Sequence, residues 1–302
     1  MKGGLLVVGD VVTDVVARHG SALVHGTDTA ARIRTRPGGA GANVACWAAR
    51  SGCREVRLLA RVGSDSAAWH RDQLRRAGVR GLLAVDDSAP TGTVVALVDA
   101  AAERTFLTDS GAVLRLSPGD WSPSMLDGVD RLHLSGYLLF AATSRTTAQL
   151  ALREAERRNI PVSIDPASTG FLAGLGVDRF LTLVEGVDLL LPNAAEAHLL
   201  TGLPEPADAA AKLSLLVRRV VVTLGRDGAL VATAGAVTAR VPAEPVRDPV
   251  DSTGAGDAFT GSFLAALLAG QDSEAAAAAG CRAGAAAVLT VGGRPPLPGD
   301  TR

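Results

Sequence analysis

Short apolar segments recur along the chain, and stretches with helical spacing of apolar residues lie between them. The clearest are LLVV at 5–8, LHLSG at 132–136, VSIDP at 162–166, DLLLPN at 188–193 and VVVTLG at 220–225. Continuous apolar runs of this length are typical of strands buried on both faces of a parallel sheet. Because strand and helix alternate from residue 130 onward, the pattern predicts an α/β fold with a mostly parallel central sheet and helices on both faces.

Each of these strands is followed by a polar or turn residue. These residues are Asp10, Ser135, Asp165, Asn193 and Thr223. Ligands of open parallel sheets bind beyond the carboxyl ends of the strands. We therefore expect these residues to line one rim of the sheet and to mark the ligand-binding side.

Two segments, about 11–36 and 89–109, depart from this alternation. Both contain short, partly alternating strands with polar gaps, and VDAAAER at 98–104 resembles a hairpin turn. We expect them to form a small β layer that projects from the main sheet as a lid; ordinary surface strands are the alternative. No linker rich in Pro, Gly or Ser divides the chain, so the sequence predicts one domain over 1–302 that carries both segments.

Composition excludes several classes of function. Thirty basic and 31 acidic residues give a net charge of −1 without a basic stretch, which argues against nucleic acid as a partner. No uncharged apolar run approaches the roughly 18 residues of a membrane span, so no membrane association is expected. Three cysteines without C-x-x-C spacing indicate neither a disulfide framework nor a zinc site, and favour a cytoplasmic protein.

Lysine is almost absent from the chain. The two lysines, Lys2 and Lys212, lie outside any glycine-rich loop, and no G-x-x-x-x-G-K-[ST] motif occurs. A Walker-type phosphate loop is therefore excluded. A catalytic Schiff-base lysine is nearly excluded, because one lysine is terminal and the other lies in a polar helical pattern.

The segment DSTGAGDAFTGSF at 251–263 predicts an anion site at a helix N-terminus. Apolar residues recur at helical spacing from Ala258 onward, so a helix should begin near Gly256. The amides of Ala255, Gly256 and Asp257 would then be among the unpaired donors of its first turn, where the helix dipole also favours negative charge.

Asp257 would stand in that first turn, beside a bound anion. From spacing alone, two roles remain open. The carboxylate could stabilise the helix N-terminus, or it could act as a general base that takes a proton from an attacking hydroxyl while the amides hold a transferring phosphoryl group.

A second glycine cluster, RPGGAGANVACWAARSG at 36–52, also opens a helix. Val44 stands where G-x-G-x-x-G requires its third glycine, so this is not a dinucleotide-binding motif, and an NAD enzyme is not indicated. Gly38 and Gly39 suggest close approach of a small ligand, and Asn43 can bond hydroxyl groups. Tight packing of helix against sheet is the alternative explanation for the glycines.

Together these motifs resemble the PfkB/ribokinase family of carbohydrate kinases. PGGAGANVA and DSTGAGDAF resemble its two signature regions. Between them, and in the family's order, lie a G-x-D segment at 61–79, the lid strand PTGTVVALVD, the N-x-x-E motif in LPNAAEA and the nucleotide loop TLGRDGAL. The resemblance nearly fills the chain and implies a ribokinase-like fold with a small β-sheet lid.

The resemblance also implies roles for residues around ATP and Mg²⁺. Asp257 is the expected catalytic base, with Gly254, Ala255 and Gly256 as anion hole. Asn193 and Glu196 are expected to place phosphate and Mg²⁺, largely through water, and Asp165 to contribute another carboxylate, although a plain strand-ending turn is equally open for it. Phosphate and ribose contacts are expected from Thr223, Gly225 and Gly228. Asp251 corresponds to a position that joins a monovalent-cation site, for K⁺, in many members.

On the acceptor side, the resemblance assigns Asp14 to sugar hydroxyls and places Gly38, Gly39 and Asn43 in the same pocket. Arg104 in the lid is expected to meet substrate or phosphate, with a solvated arginine as the alternative. The family's lids also suggest a homodimer formed through the lid.

Some positions depart from typical ribokinases. Ala40 replaces a lysine, and HLSGYLLFAAT at 133–143 carries no carboxylate near the sugar. These departures argue against D-ribose as the specific substrate. The resemblance implies transfer of the γ-phosphate of ATP to a hydroxymethyl group of a sugar or sugar-like substrate. A nucleoside kinase of pseudouridine or adenosine type is the alternative, and a non-catalytic sugar or nucleotide sensor is a weaker one. Tyr137 could stack on a substrate ring or lie in the core.

Overall fold

The computed structural model describes residues 3–99 and 104–297. The strands in chain order are β1 (Gly4–Val8), β2 (Val12–His19), β3 (Ala31–Gly38), β4 (Glu55–Gly63), β5 (Val79–Asp86), β6 (Gly92–Val98), β7 (Arg104–Asp109), β8 (Arg131–Ser135), β9 (Val162–Asp165), β10 (Leu189–Leu190), β11 (Arg219–Thr223), β12 (Ala229–Thr233) and β13 (Ala236–Val241).

Nine of these strands form the main sheet, in the order β13-β12-β11-β10-β9-β8-β1-β4-β5. Every pairing from β5 through β11 is parallel, and the last two pairings, β11 with β12 and β12 with β13, are antiparallel. The mostly parallel sheet predicted from the apolar runs is confirmed. Its carboxyl-terminal rim carries the polar residues that follow β1, β8, β9, β10 and β11.

Helices cover both faces of this sheet. They are α1 (Ala40–Arg50), α2 (Ala67–Arg76), α3 (Ala142–Arg157), α4 (Thr169–Leu175), α5 (Val177–Val184), α6 (Ala194–Thr201), α7 (Pro206–Leu213), α8 (Ala255–Leu268) and α9 (Ser273–Ala287). Side chains alternate along a strand. Leu5 and Val7 therefore enter a core with α1, α8 and α9, whereas Leu6 and Val8 enter a second core with residues of α3 through α7.

The remaining four strands form a small sheet in the order β3-β2-β6-β7. It is built from the two segments that the sequence assigned to a lid. Asp14 on β2 lies opposite Arg36 on β3 and Val94 on β6, so these three residues share one face. The predicted hairpin turn VDAAAER includes residues 100–103, which lie outside the described residues.

Candidate active site

The first turn of α8 places Asp257 at the rim of the main sheet. The helix begins at Ala255, within one residue of the predicted start, and Gly254 precedes it with φ 73° and ψ 7°. The left-handed backbone suits glycine. A Cβ at Gly254 would also collide with the backbone of Gly293. Glycine at 254 therefore permits both the sharp entry into α8 and the close contact with residue 293.

The amides of this turn are not all equally available. The amide of Ala255 donates to the carbonyl oxygen of Ser252 at 3.3 Å, which is a long hydrogen bond. The amides of Gly256 and Asp257 follow in the first turn, where an α-helix supplies no acceptor of its own. The anion hole predicted from Gly254, Ala255 and Gly256 thus depends chiefly on the donors at 256 and 257.

Asn43 joins the two glycine-rich motifs. Its side-chain Nδ2 donates a hydrogen bond of 2.7 Å to Oδ2 of Asp257, across 214 residues of sequence. Burial raises the pKa of Asp257 to about 7; the Asn43 hydrogen bond opposes this, while the charges of Asp10, Asp14 and Glu196 reinforce it. A carboxyl group with this pKa exchanges protons readily near neutral pH, as a general base requires.

Asp10 also lies in the site. The sequence predicted its position at the rim of the sheet but gave it no role. Its Oδ2 accepts from the amide of Ala40 at 2.7 Å, and its Oδ1 accepts from the amide of Gly41 at 3.0 Å and from the hydroxyl of Ser135 at 2.8 Å. The carboxylate thus occupies the N-terminus of α1, where the helix dipole stabilises it. The two amides of the PGGAGAN segment that bond Asp10 are consequently engaged within the chain.

The glycines before α1 pack against this connection. Gly39 has φ 98°, and a Cβ there would meet the backbone of Asp10 and Val11. A Cβ at Gly38 would meet the carboxylate of Asp14. Tight packing, the alternative raised from the sequence, therefore accounts for Gly39, while Gly38 makes room for the carboxylate assigned to substrate binding.

Asp14 projects from the small sheet with a strongly perturbed carboxyl group. Burial raises its pKa to about 7; Arg294 opposes the shift, and Asp10 and Asp251 add to it. Arg294 was not singled out by the sequence, because it lies far from the signature motifs. Its Nη2 donates to the carbonyl oxygen of Gly38 at 2.9 Å, which brings the C-terminal segment against the start of α1.

Asp165 and Glu196 form an acidic pair whose charges act on each other's surroundings and on Asp257. Burial raises the pKa of Asp165 well above its ordinary range, and the charges of Glu196 and Asp257 add to this shift. Burial likewise raises the pKa of Glu196. One oxygen of Asp165 accepts from the amide of Ala167 at 2.8 Å. Within residues 3–99 and 104–297, no group of three or more His, Cys, Asp or Glu side chains is arranged to hold a metal ion.

Asn193 and Glu196 also have a local structural role. Oδ1 of Asn193 accepts from the amide of Glu196, and Oε2 of Glu196 accepts from the amide of Asn193, both at 2.9 Å. This reciprocal pair is a capping box that fixes the start of α6. The sequence signal N-A-A-E therefore reports helix capping as well as the family motif.

The predicted nucleotide loop lies beside α6. Thr223 ends β11 and bridges to Asn193, and its amide donates to the carbonyl oxygen of Pro192 at 3.0 Å. Gly225 and Gly228 enclose the turn that leads into β12. The structure thus brings four of the residues assigned to ATP and Mg²⁺, namely Asn193, Glu196, Thr223 and Gly225, to adjoining turns of one rim.

Asp251 holds two segments together. Its Oδ1 accepts from the amide of Thr253 at 2.8 Å and its Oδ2 from the amide of Gly292 at 3.0 Å. These bonds join the loop before α8 to the segment after α9. Arg104 begins β7, but its side chain lies outside the described part of the structure.

Tyr137 belongs to an aromatic cluster at the rim. Its ring lies edge-on to Phe140 and Phe171, at centroid distances of 6.1 and 5.5 Å, and is half-buried. Burial and the charges of Asp10 and Asp257 raise the pKa of its hydroxyl. The tyrosine is therefore close to the acidic site and is not a fully enclosed core residue.

The sequence matches one protein family along almost its whole length. The model of the pfkB family carbohydrate kinases matches residues 2–300. The chain belongs to this family. Its members are phosphotransferases that act on sugar hydroxyls, so this protein is a kinase, and the resemblance carried by the sequence motifs is confirmed.

One relative and two solved structures illustrate what the chain is similar to. The chain is 32% identical over 281 residues to fructokinase of Klebsiella pneumoniae, covering 89% of this chain and 86% of the relative. The crystal structure of adenosine kinase from Sinorhizobium meliloti matches with TM-score 0.89 at 22% identity, covering 98% and 96% of the two chains. A putative ribokinase II from E. coli in complex with ATP and Mg²⁺ matches with TM-score 0.85 at 24% identity, covering 96% and 94%. The ribokinase-like α/β fold is thereby confirmed.

Proposed function

We propose that this pfkB kinase transfers the γ-phosphate of ATP to a hydroxymethyl group of a sugar or sugar-like acceptor, with Asp257 as the base. The observation that carries the proposal is the position of Asp257. Its carboxylate lies in the first turn of α8, next to free helix amides, and its pKa of about 7 suits proton transfer.

In the proposed mechanism, Asp14 and Asn43 hold the acceptor so that one hydroxyl faces Asp257. Oδ of Asp257 takes the hydroxyl proton as the acceptor oxygen bonds to the γ-phosphorus, and the bond from that phosphorus to the bridging oxygen of ADP breaks. The amides of Gly256 and Asp257 stabilise the negative charge on the transferring group. Asn43 keeps the Asp257 carboxylate in the orientation that faces the acceptor.

We assign ATP and Mg²⁺ to the rim formed by the start of α6 and the loop after β11. Thr223, Gly225 and Gly228 would contact phosphate and ribose, and Asn193 with Glu196 would position the phosphates. Half-buried Asp165 and buried Glu196, whose pKa values are both raised, form a site that a cation would stabilise. Bound Mg²⁺ would neutralise phosphate charge and, because it retains water, would need few direct protein ligands. K⁺ near Asp251 stays a prediction.

A nucleoside kinase is the second candidate. The half-buried ring of Tyr137, next to Phe140 and Phe171, gives the site an aromatic surface on which a base could stack. The homodimer and the cytoplasmic location predicted from the sequence also remain proposals; all three cysteines are free thiols, as a reducing compartment maintains them.

Measurement of ADP release with Mg-ATP separates these functions. Fructose, ribose and adenosine should be compared as acceptors, and the preferred one then used with Asp257→Asn. We expect this variant to lose about 10³-fold or more in kcat while it retains ATP affinity, because the amide cannot accept the proton. Retention of turnover would remove Asp257 from the mechanism, and absence of acceptor-dependent ADP release would favour a sensor.

A further inference from the structure

A basic cavity adjoins the proposed acceptor site. It has a volume of about 530 Å³ and lies between β3, α2 and the C-terminal segment 289–297. Four arginines, Arg34, Arg36, Arg76 and Arg294, line it, and among its described lining residues there is no aspartate or glutamate. In a chain of nearly balanced charge, this is a local concentration of guanidinium groups.

Two of these arginines carry buried polar atoms without a partner. In the described part of the chain, Nε of Arg36 and Nε and Nη1 of Arg294 have no hydrogen-bond partner, although all three atoms are buried. Burial also lowers the pKa of Arg294. Buried guanidinium donors are costly when unpaired, and a carboxylate or phosphate satisfies them in pairs.

The register of the small sheet places two of the four arginines on the face that carries Asp14, the residue assigned to the acceptor. Arg36 lies opposite Asp14, and Arg34 lies opposite Val16, so both arginines share the face of Asp14. Arg294 bonds the carbonyl oxygen of Gly38. Its neighbour Gly293 packs against the amide of Asn43, which in turn bonds Asp257. A continuous set of contacts therefore leads from the proposed base to the cavity.

We propose that the acceptor of this kinase is an acidic sugar, whose carboxylate or phosphate binds Arg36 and Arg294 at this cavity while a hydroxyl at its other end faces Asp257. This inference rests on the proposed function and specifies its substrate class. The absence of a carboxylate at 133–143 agrees with it, since such a group would repel an acidic acceptor.

Matched acceptor pairs test the proposal. ADP release should be measured with fructose against fructose 6-phosphate, and with glucitol against gluconate. We expect the acidic member of at least one pair to have a kcat/KM about tenfold or more higher. Arg36→Gln should lower that value by about 10- to 100-fold and leave the neutral member within twofold. Arg32→Gln is the matched control, because this exposed arginine lies on the same strand but does not line the cavity.

Inorganic phosphate distinguishes an anionic group carried by the acceptor from a separate anion that binds at the cavity. Competitive inhibition against the acidic acceptor would support a shared site, whereas stimulation of the neutral acceptor would indicate a separate anion and overturn the proposal. Arg294→Lys should retain part of the preference, since it keeps the charge but loses the paired donors.

If neutral sugars are phosphorylated as well as acidic ones, the kinase stands and the acidic acceptor does not. If no acceptor is phosphorylated, ligand binding at the cavity can still be tested by measuring the Tm of each protein with and without an acidic sugar. Gluconate or fructose 6-phosphate should then raise Tm in the wild type and in Arg32→Gln but not in Arg36→Gln, and equal shifts in all three would overturn the proposal.

Discussion

Asp257 and Asp14 are both half-buried, and desolvation raises the pKa of each to about 7, which would set the pH dependence of the proposed catalysis. In the proposed roles both act as carboxylates, so kcat/KM should fall as pH drops below about 7. The fall should approach 100-fold per pH unit for two groups and about tenfold for one.

A pH profile of kcat/KM from 5 to 9 measures this slope. Asp14→Asn should lower the whole profile and reduce the slope to that of a single group. A flat profile between pH 5 and 7 would contradict both assignments.

The same burial makes Asp257 costly for stability at high pH. The pKa of Asp257 in the folded state, about 7, exceeds the ordinary aspartate pKa of 3.8, so between these pH values the folded state binds a proton that the unfolded state does not. The stabilising contribution is complete below about 4 and is lost as pH rises through 7. Asp257→Asn should therefore raise Tm by a few degrees at pH 8, and by much less at pH 5.

Thermal melts at the two pH values test this prediction. Asp28→Asn is a suitable control, because Asp28 is exposed and removal of its charge should leave Tm nearly unchanged at both pH values. A lower Tm for Asp257→Asn at pH 8 would show that the ionised carboxylate stabilises the fold.

The sequence singled out Asp257 and Asn43 as site residues, but it predicted neither the hydrogen bond between them nor the residues around them. Asp257 and Asn43 belong to compact motifs, and their types already suggested a base and a hydrogen-bonding amide. Asp10 and Arg294 carry no motif of their own. Arg294 meets Gly38 across 256 residues, and such a contact depends on how the C-terminal segment packs, which local patterns do not encode.

The entry into α8 is the element on which the proposed anion hole depends. Gly254→Ala places a Cβ in a left-handed backbone and against Gly293, so we expect a loss of about 2–4 kcal/mol in the free energy of unfolding. Gly256→Ala is the matched control, because a Cβ there meets nothing within 4 Å and the residue is helical. That change should be neutral or stabilising by up to about 1 kcal/mol.

Denaturant unfolding of the two variants checks the difference. Equal losses for both would mean that any side chain in this turn is harmful, and that the contact with Gly293 is not the cause.

Elements were predictable where one local rule dominated. Buried strands followed from apolar runs, and α9 begins after Asp272, a residue type favoured at helix N-termini, whose Oδ1 accepts from the amide of Ala275. Asn193 and Glu196 were harder to interpret, because one spacing serves both a capping box and a family motif. The strand at 188–193 shortens to Leu189–Leu190, since Pro192 and the start of α6 interrupt its pairing.

At the scale of the whole molecule, the small sheet has two unlike faces. The face of Asp14 carries Arg34 and Arg36, whereas the opposite face carries apolar side chains, including Ile33 and Leu107, which are 63% and 58% exposed. Exposed apolar surface such as this face of the small sheet is typical of a protein interface.

In the described part of the protein, no helix is long and apolar enough to cross a bilayer.

We predict that two copies of the protein form a homodimer through this apolar face of the small sheet. If two copies pair there, Leu107→Glu should shift the protein from dimer to monomer, because a charge buried against an apolar partner is strongly unfavourable. Leu215→Glu is the control, since Leu215 is 72% exposed and lies after α7, in a segment apart from the small sheet. Sedimentation velocity at micromolar concentration gives the masses. A monomeric wild type, or a Leu107→Glu variant that stays dimeric, would exclude this interface.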